Sequence, residues 1–428
     1  MKTVQGLLEW LQKKLSDRFI RNVGWLGAAQ LSNRVFRLAA TVVLARWLSP
    51  SDYGLAAVVL TTNEFLTVFT RSGIGSKIIQ ASAEDLDELC DTAYWLNWIL
   101  CGSLFVLQCL LAVPIGWFYG KSEIALPIGV MAVVYLLVPL GYIQAMLLMR
   151  ENRLKITAIT NAAQLSCDCV LTIVFALLGM GLWALILPKV LVAPIWVIIN
   201  YANHPWRAPR RFTLKRWPEI VAFARNILGV ELLTTLRGNI DYLIVGRVLG
   251  VEALGVYYFA FNAGLGISLG VISAFSSALY PHLCAVNTDP EQLKVRFFSG
   301  LKTIALVAVP LVLLQSSLAP IYVPIIFGEK WVAAGAVPVL ILVCLSALPR
   351  PFADAASQLL HAVNRTHLDL QWNLFFTLVL VAAIAVSTPW GIGGVALAVL
   401  VCHVLALPPF AVWTTRMLFA KPLTPSLS

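Results

Sequence analysis

The sequence predicts an all-α polytopic membrane protein of about twelve transmembrane helices. These would form two six-helix bundles related by a pseudo-twofold along the membrane normal. Three observations predict it. Hydrophobic residues make up 59% of the 428 and charged residues 12%, with a mean hydropathy of +0.83, whereas a soluble domain carries about twice that share of charge. Continuous apolar runs of about 20 residues recur along the whole length, which excludes an alternating membrane β-barrel and leaves no room for a large water-soluble domain. The chain also matches itself: "ARWLSPSDYGL" at 45–55 aligns with "GRVLGVEALGV" at 246–256, and "GMGLWALIL" at 179–187 with "GIGGVALAV" at 391–399. Equivalent segments run in the same direction, so the repeat is parallel.

The elements follow in order. Residues 1–22 place Val4, Leu7, Leu8, Leu11 and Leu15 at helical spacing with Lys13, Lys14 and Arg18 on other faces, an amphipathic helix for the inner membrane surface. They lack the apolar core and small-residue cleavage site of a signal peptide. A first bundle is expected over 23–202, with spans near 23–48, 53–73, 92–115, 124–149, 156–178 and 181–202. The segment 203–218, "HPWRAPRRFTLKRW" at its heart, reads as a basic cytoplasmic linker. A second bundle over 219–418 has spans near 219–249, 254–281, 297–327, 332–363, 368–388 and 391–418, followed by a tail at 419–428. Basic residues crowd one set of loops: Arg150, Arg153 and Lys155, the linker arginines, Lys294 and Arg296, Arg365, Arg416 and Lys421. The opposite turns carry little beyond Arg46, Lys121, Arg247 and Lys330. The positive-inside rule then sets both termini in the cytoplasm. Trp47, Trp117, Trp331 and Trp390 fall near the outer ends, where interfacial aromatics are expected.

The charges inside spans bear most directly on function. Gln30, Arg34, Arg37 and Thr41 step by four, three and four along one face of the first span, with Asn33 beside them. An arginine at mid-bilayer costs about 2.5–3.5 kcal/mol on insertion scales, so these side chains are expected to face water or protein. The second span repeats the pattern with Glu64, Thr67 and Arg71. In an antiparallel hairpin Glu64 and Arg34 lie at equal depth, so an ion pair is expected. Further intramembrane charges are Asp168, Lys189, Glu231, Arg237, Asp241, Arg350 between Pro349 and Pro351, and Asp354. Arg237–Asp241 and Arg350–Asp354, each four apart, can equally be neutralising intrahelical pairs. Arg71 can mark a helix end, and Asp168 can be a protonated hydrogen-bonding residue or a coupling-ion site. Prolines flanking Arg350 predict a break in the helix. Cationic side chains in a wet cavity suit an anionic substrate, and arginine matches phosphate oxygens bidentately. Arg34, Arg37, Arg71, Lys189, Arg237 and Arg350 are the candidate pyrophosphate ligands. Gln30, Asn33, Glu64, Asp168, Asp241 and Asp354 are the candidate polar and ion-pairing partners.

The segments "VVLARWLSPSDYGLAAVV", "LLMRENRLK", "ALLGMGLWALIL" and "GNIDYLIVGRVLGVEALGVYYFA", in this order, resemble the polysaccharide transporter family of the multidrug/oligosaccharidyl-lipid/polysaccharide (MOP) flippase superfamily. They are closest in style to colanic-acid-type exporters. The resemblance covers nearly the whole chain. It implies two six-helix bundles around a cavity and outward movement of undecaprenyl-pyrophosphate-linked repeat units across the bacterial inner membrane, with cavity arginines, nearest here Arg34, Arg37 and Arg71, gripping the pyrophosphate. The partners it implies are the lipid-linked oligosaccharide, membrane lipids, and a polysaccharide polymerase with its co-polymerase. Some relatives carry two spans more, which leaves energy coupling open.

Rival readings are weaker. Asp85-Leu-Asp87 looks like a nucleotide-sugar metal motif of a glycosyltransferase, but acidic residues at a helix start account for it, and no outer loop is large enough for a polymerase. A drug antiporter would favour carboxylates over arginines. No enzyme activity, cofactor or metal site is expected: Cys167 and Cys169 lack a second ligand pair, and the eight cysteines read as small apolar residues. The formal charge of +10 comes from the loops, not from a nucleic-acid surface.

Overall fold

The computed structural model describes residues 36–71, 73–209, 211–286 and 289–419. The amphipathic N-terminal segment, Gln30, Asn33 and Arg34 lie outside the described residues, as does the 419–428 tail beyond its first residue. Among the described residues every regular element is a helix. They are α1 (36–47), α2 (Pro50–Thr70), α3 (Ile74–Gln80), α4 (Leu86–Phe118), α5 (Ala125–Arg150), α6 (Leu154–Leu177), α7 (Trp183–Asn203), α8 (Trp217–Val248), α9 (Val251–Ala260), α10 (Gly266–Cys284), α11 (Pro290–Tyr322), α12 (Glu329–Ala333), α13 (Ala336–Leu345), α14 (Arg350–Ala362), α15 (Thr366–Ser387) and α16 (Gly391–Phe419). Helix occupies the described part of each expected span. Among the described residues, eight stretches are long and apolar enough to cross a membrane, the last of them, Thr366–Phe419, covering α15 and α16 together. Charged residues recur along α8, so it falls outside that set.

The described chain divides into two compact units, with crossings at 48/49, 61/62 and 232/233. The first and third follow turns or mid-helix points, and the second lies inside α2. In the first unit, α5 packs on α3, α4 and α7, and α6 packs on α7. Gly141 makes the α5–α7 crossing close: a Cβ there would sit 3.1 Å from the Val197 Cα and 3.2 Å from the Trp196 ring. Two buried contacts pair polar groups across the helices, as a membrane interior favours. Gln108 Nε2 donates to the Ile128 carbonyl at 2.7 Å, and the Gly75 amide donates to the Tyr142 hydroxyl at 3.0 Å.

The basic linker is fastened to this unit. Arg216 pairs with Asp85 at 2.7 Å and Glu219 at 2.8 Å, Lys77 with Glu219 at 2.5 Å, and Lys215 with Glu88 at 3.2 Å. Trp95 Nε1 donates to the Arg211 carbonyl at 3.0 Å, and Trp206 packs on Tyr94. Asp85 is thus a helix-start and linker anchor. A hydrogen bond from the Ser82 hydroxyl, then one from Arg216, holds its carboxyl below the usual carboxylate range.

In the second unit α9 begins at a close helix crossing. Gly54 of α2 lies against the Val251 carbonyl and Gly255 of α9 against the Pro50 carbonyl, and a Cβ at either position would overlap that oxygen. Only glycine permits such an approach. Gly54 and Gly255, like Pro50 and Val251, are equivalent positions of the internal repeat, so the contact is reciprocal, as a twofold between repeats produces. The second repeat signal is also structural: Gly179 and Gly391, at its equivalent positions, both take positive φ, 72° and 69°, just before α7 and at the start of α16.

The expected break at Pro349–Pro351 is present, with α13 ending at Leu345 and α14 starting at Arg350. A second interruption is the π-helical turn Phe261–Leu265 between α9 and α10. Its Gly264 carbonyl accepts from Gln315 of α11, whose Oε1 accepts from the Ser268 hydroxyl at 2.6 Å.

One expectation is corrected. Trp47, Trp117 and Trp390 are 59%, 75% and 72% exposed, as interfacial aromatics are, but Trp331 is fully buried. It stacks on Phe259 at 3.7 Å and meets Tyr53 edge-on at 5.1 Å. The short helix α12 that carries it packs this ring against α2 and α9, so Trp331 is a core residue.

Candidate functional site

Of the charges nominated from sequence, the structure gathers two groups, one in each unit. The first lies on α1, α6 and α7. Asn161, Gln164, Leu165 and Asp168 recur along one face of α6, and with Lys189 and Val192 of α7 they line a cavity of about 280 Å³. Lys189 Nζ lies 3.4 Å from Asp168 Oδ2. The pair is lopsided: the Lys189 side chain is 41% exposed and that of Asp168 16%. The other carboxylate oxygen, Asp168 Oδ1, is buried without a hydrogen-bond partner among the described residues. Arg37 of α1 is exposed and lies within electrostatic reach of Cys169, as Asp168 and Lys189 do. Two cations and one carboxylate thus act on Cys169, and of the three, Lys189 and Asp168 line the open volume.

The second group spans α8, α9, α14, α15 and α16. Its charges are tied to each other. Arg237 donates to Asn373 Oδ1, and Asn373 Nδ2 donates to the Asp369 carbonyl at 2.9 Å. The Asp369 carboxylate accepts from the Ser357 hydroxyl at 2.6 Å and lies 3.0 Å from His361 Nε2. Asp241 accepts from the Tyr257 hydroxyl at 2.9 Å and from the Tyr242 amide at 3.0 Å. The charges acting on Arg350 are those of Asp354, Arg237 and Asp241. Two guanidiniums meet three carboxylates here, with His361 and His403 at the margin.

This overturns one sequence reading. Arg237 and Asp241 do not form an intrahelical pair: each turns to a neighbouring helix, Arg237 to α15 and Asp241 to α9. Arg350 and Asp354 do act on each other, although the Arg350 Nε is buried without a hydrogen-bond partner.

The remaining nominees join neither group. Glu64 and Arg71 are exposed, Arg71 in the turn that ends α2. Between them Thr67 turns to Tyr135, its Oγ1 3.2 Å from the ring hydroxyl. The expected Glu64–Arg34 pair involves a residue outside those described. Thr41 donates to the Arg37 carbonyl at 2.8 Å, which satisfies its hydroxyl within α1.

A scan for charge overlooks Asn161 and Gln164, yet their signal is present: both share the i, i+3, i+7 register with Asp168. His361, Ser357 and Asn373 were equally silent, because only the folded α14–α15 hairpin brings them to Asp369. The eight cysteines are all free, and no cluster of metal-ligating side chains occurs among the described residues.

Comparison with known proteins agrees with this architecture. The profile of the polysaccharide biosynthesis protein family matches residues 43–336. The lipopolysaccharide biosynthesis protein WzxC of Escherichia coli is 24% identical over 387 residues, covering 87% of this chain and 76% of its own. Among solved structures, the lipid II flippase MurJ in an inward closed conformation superposes with a TM-score of 0.73 at 13% identity, over 92% of this chain and 87% of that one. An inward-facing multidrug resistance transporter of the MATE family in the MOP superfamily gives 0.71 at 15%, over 91% and 95%. The second and first likenesses together fix the fold. The chain is a multi-pass membrane protein of the polysaccharide biosynthesis protein family, with the fold of the MOP superfamily.

Proposed function

We propose that this protein is a flippase that moves undecaprenyl-pyrophosphate-linked oligosaccharide repeat units outward across the bacterial inner membrane by alternating access, with both termini in the cytoplasm. The observation that carries the reading is the surplus of positive charge beside the α6–α7 cavity. Lys189 faces the Asp168 carboxylate there, Arg37 acts on the neighbouring Cys169, and a diphosphate would supply the missing negative charge. A cavity of about 280 Å³ lies at the lower end of ligand-site volumes, enough for a headgroup whose prenyl tail stays in the bilayer. Family membership and the likeness to WzxC support the same substrate class. A polymerase and its co-polymerase are the proposed partners that consume the flipped unit.

The Arg37, Lys189 and Asp168 cluster is the proposed pyrophosphate site, and Arg34, three positions before Arg37 in the sequence, is proposed as a further ligand. The charged group in the second unit is proposed as a structural network, since Arg237, Asp241 and Asp369 are already hydrogen-bonded within it. A drug antiporter would need acidic groups free to take a cation, and the first-unit cavity, though the fold is shared with a multidrug resistance transporter, offers the opposite balance. The test is made in cells. Combined Arg37→Gln and Lys189→Gln substitution, with insertion in the membrane verified, should abolish surface polysaccharide and accumulate the lipid-linked unit on the inner face. Unchanged export by that variant would contradict the assignment.

A further inference from the structure

The polar side chains lining the first-unit cavity are ions and amides, and a diphosphate accounts only for the ions. Asn161 and Gln164 line the same volume as Asp168 and Lys189. Elsewhere in the protein such amides are taken up within the fold. Asn200, Asn203, Asn239, Asn262 and Asn373 each donate to the carbonyl four residues earlier in their helix. Gln108, Gln144 and Gln315 donate to carbonyls of neighbouring segments. Asn161 and Gln164 form no hydrogen bond with another described residue, although an unsatisfied amide inside a membrane is costly. Asn161 is exposed and Gln164 half-buried, so both stand open to an entering ligand.

Their spacing gives that ligand a size. At a rise of about 1.5 Å per residue, Gln164 lies about 6 Å and Asn161 about 10 Å from Asp168 along the axis of α6. Two amides thus stand in a row beside the phosphate position, a row on the scale of one sugar ring. Each amide presents both donors and an acceptor. Adjacent sugar hydroxyls, which donate and accept at once, satisfy that pattern. Leu165 and Val192 complete the lining and offer apolar contact to the C–H face of a ring.

Charge decides which sugars fit. The cations proposed for the diphosphate are Arg37, Lys189 and Arg34, the last outside the described residues. Against these stand one negative charge on each phosphate of a pyrophosphate diester and one on Asp168. No cation is left over for an acidic sugar. A uronate beside Gln164 would also meet Asp168 one turn away, a like charge in a poorly screening interior.

We infer that Asn161 and Gln164 form a subsite that reads the hydroxyls of an uncharged sugar, the one joined directly to the diphosphate. This rests on the flippase reading for the diphosphate itself, and adds the chemistry of the first sugar.

Binding to the full chain in nanodiscs tests it with three probes. They are farnesyl-pyrophosphoryl-glucose, farnesyl-pyrophosphoryl-glucuronate, and methyl farnesyl pyrophosphate, which keeps both diester charges and has no sugar. The wild type should bind the glucose probe at least about tenfold tighter than the other two, the yield of a few neutral hydrogen bonds. Asn161→Leu and Gln164→Met keep side-chain size and remove the amide. Each should weaken the glucose probe about fivefold and shift the methyl ester less than about twofold, whereas Lys189→Gln should weaken all three. Equal wild-type affinity for the glucose probe and the methyl ester, or for glucose and glucuronate, would overturn the subsite while leaving the anion site intact. Equal losses for glucose probe and methyl ester in the amide variants would overturn it likewise. Absence of binding of any probe by the wild type would overturn the flippase reading and the subsite together. Should the variants not fold, the wild-type ranking of the three probes decides alone.

Discussion

In the first unit Lys189 and Asp168 face each other at 3.4 Å beside a cavity, and an oxygen of the acid is left over. In the second, Asp369 is held by Ser357 and His361, Asp241 by Tyr257, and Arg237 by Asn373. Both units keep charge inside the membrane, where it is expensive. They differ in what the charge is for. A network whose members satisfy one another is rigid and costly to interrupt. A pair that is loose, open on one side and unbalanced has something left to bind. The number of buried charges therefore says little about where a ligand goes, and their partners say much more.

Three substitutions sharpen this contrast, the largest expected effect first. Arg350→Met removes a cation whose charge acts on Asp354 and Asp241. Breaking a buried pair from one side costs about 3–5 kcal/mol, so the thermal midpoint of the purified protein should fall by roughly 10 °C, with or without ligand. Retained stability would place Arg350 outside the network. Lys189→Gln should change thermal stability far less, since its side chain is partly exposed, and should act on ligand binding instead. The smallest effect belongs to Asp85→Asn. The Asp85 carboxyl sits below its unfolded value because Ser82 and Arg216 hydrogen-bond the charged form. Its contribution is therefore fully present above the ordinary carboxylate value of about 4 and is lost as pH falls through the lowered folded value. The stability difference between wild type and variant should be small at pH 7, shrink with added salt, and vanish in acid. A difference that grew on acidification would contradict the pair.

Much of the fold was legible because a membrane leaves few choices. Apolar runs near span length, basic loops and the repeated "ARWLSPSDYGL" pattern each report a constraint written locally in the chain. The Gly54–Gly255 crossing falls at equivalent positions of that repeat, although the repeat alone did not announce the contact. Partners were less legible. Arg237 and Asp241 are four apart, which makes them neighbours on a helix, yet packing against α15 and α9 offered each a better partner. Trp331, on the short helix α12, is buried against Tyr53 and Phe259 while Trp47 and Trp390 stay exposed, a difference that only packing sets. Asn161 and Gln164 carry no charge to attract notice, although their register with Asp168 was readable. The site was thus visible in its ions and hidden in its neutral groups and its pairing, because pairing depends on which helices become neighbours.

The most direct measurement compares the two units in one assay: the shift in thermal midpoint caused by a saturating prenyl-pyrophosphoryl sugar in wild type, Lys189→Gln and Arg237→Gln proteins. The account predicts that ligand stabilises the wild type, stabilises Arg237→Gln by a similar increment from a lower starting midpoint, and leaves Lys189→Gln unshifted. A full ligand shift in Lys189→Gln together with none in Arg237→Gln would contradict it and move the anion site to the second unit.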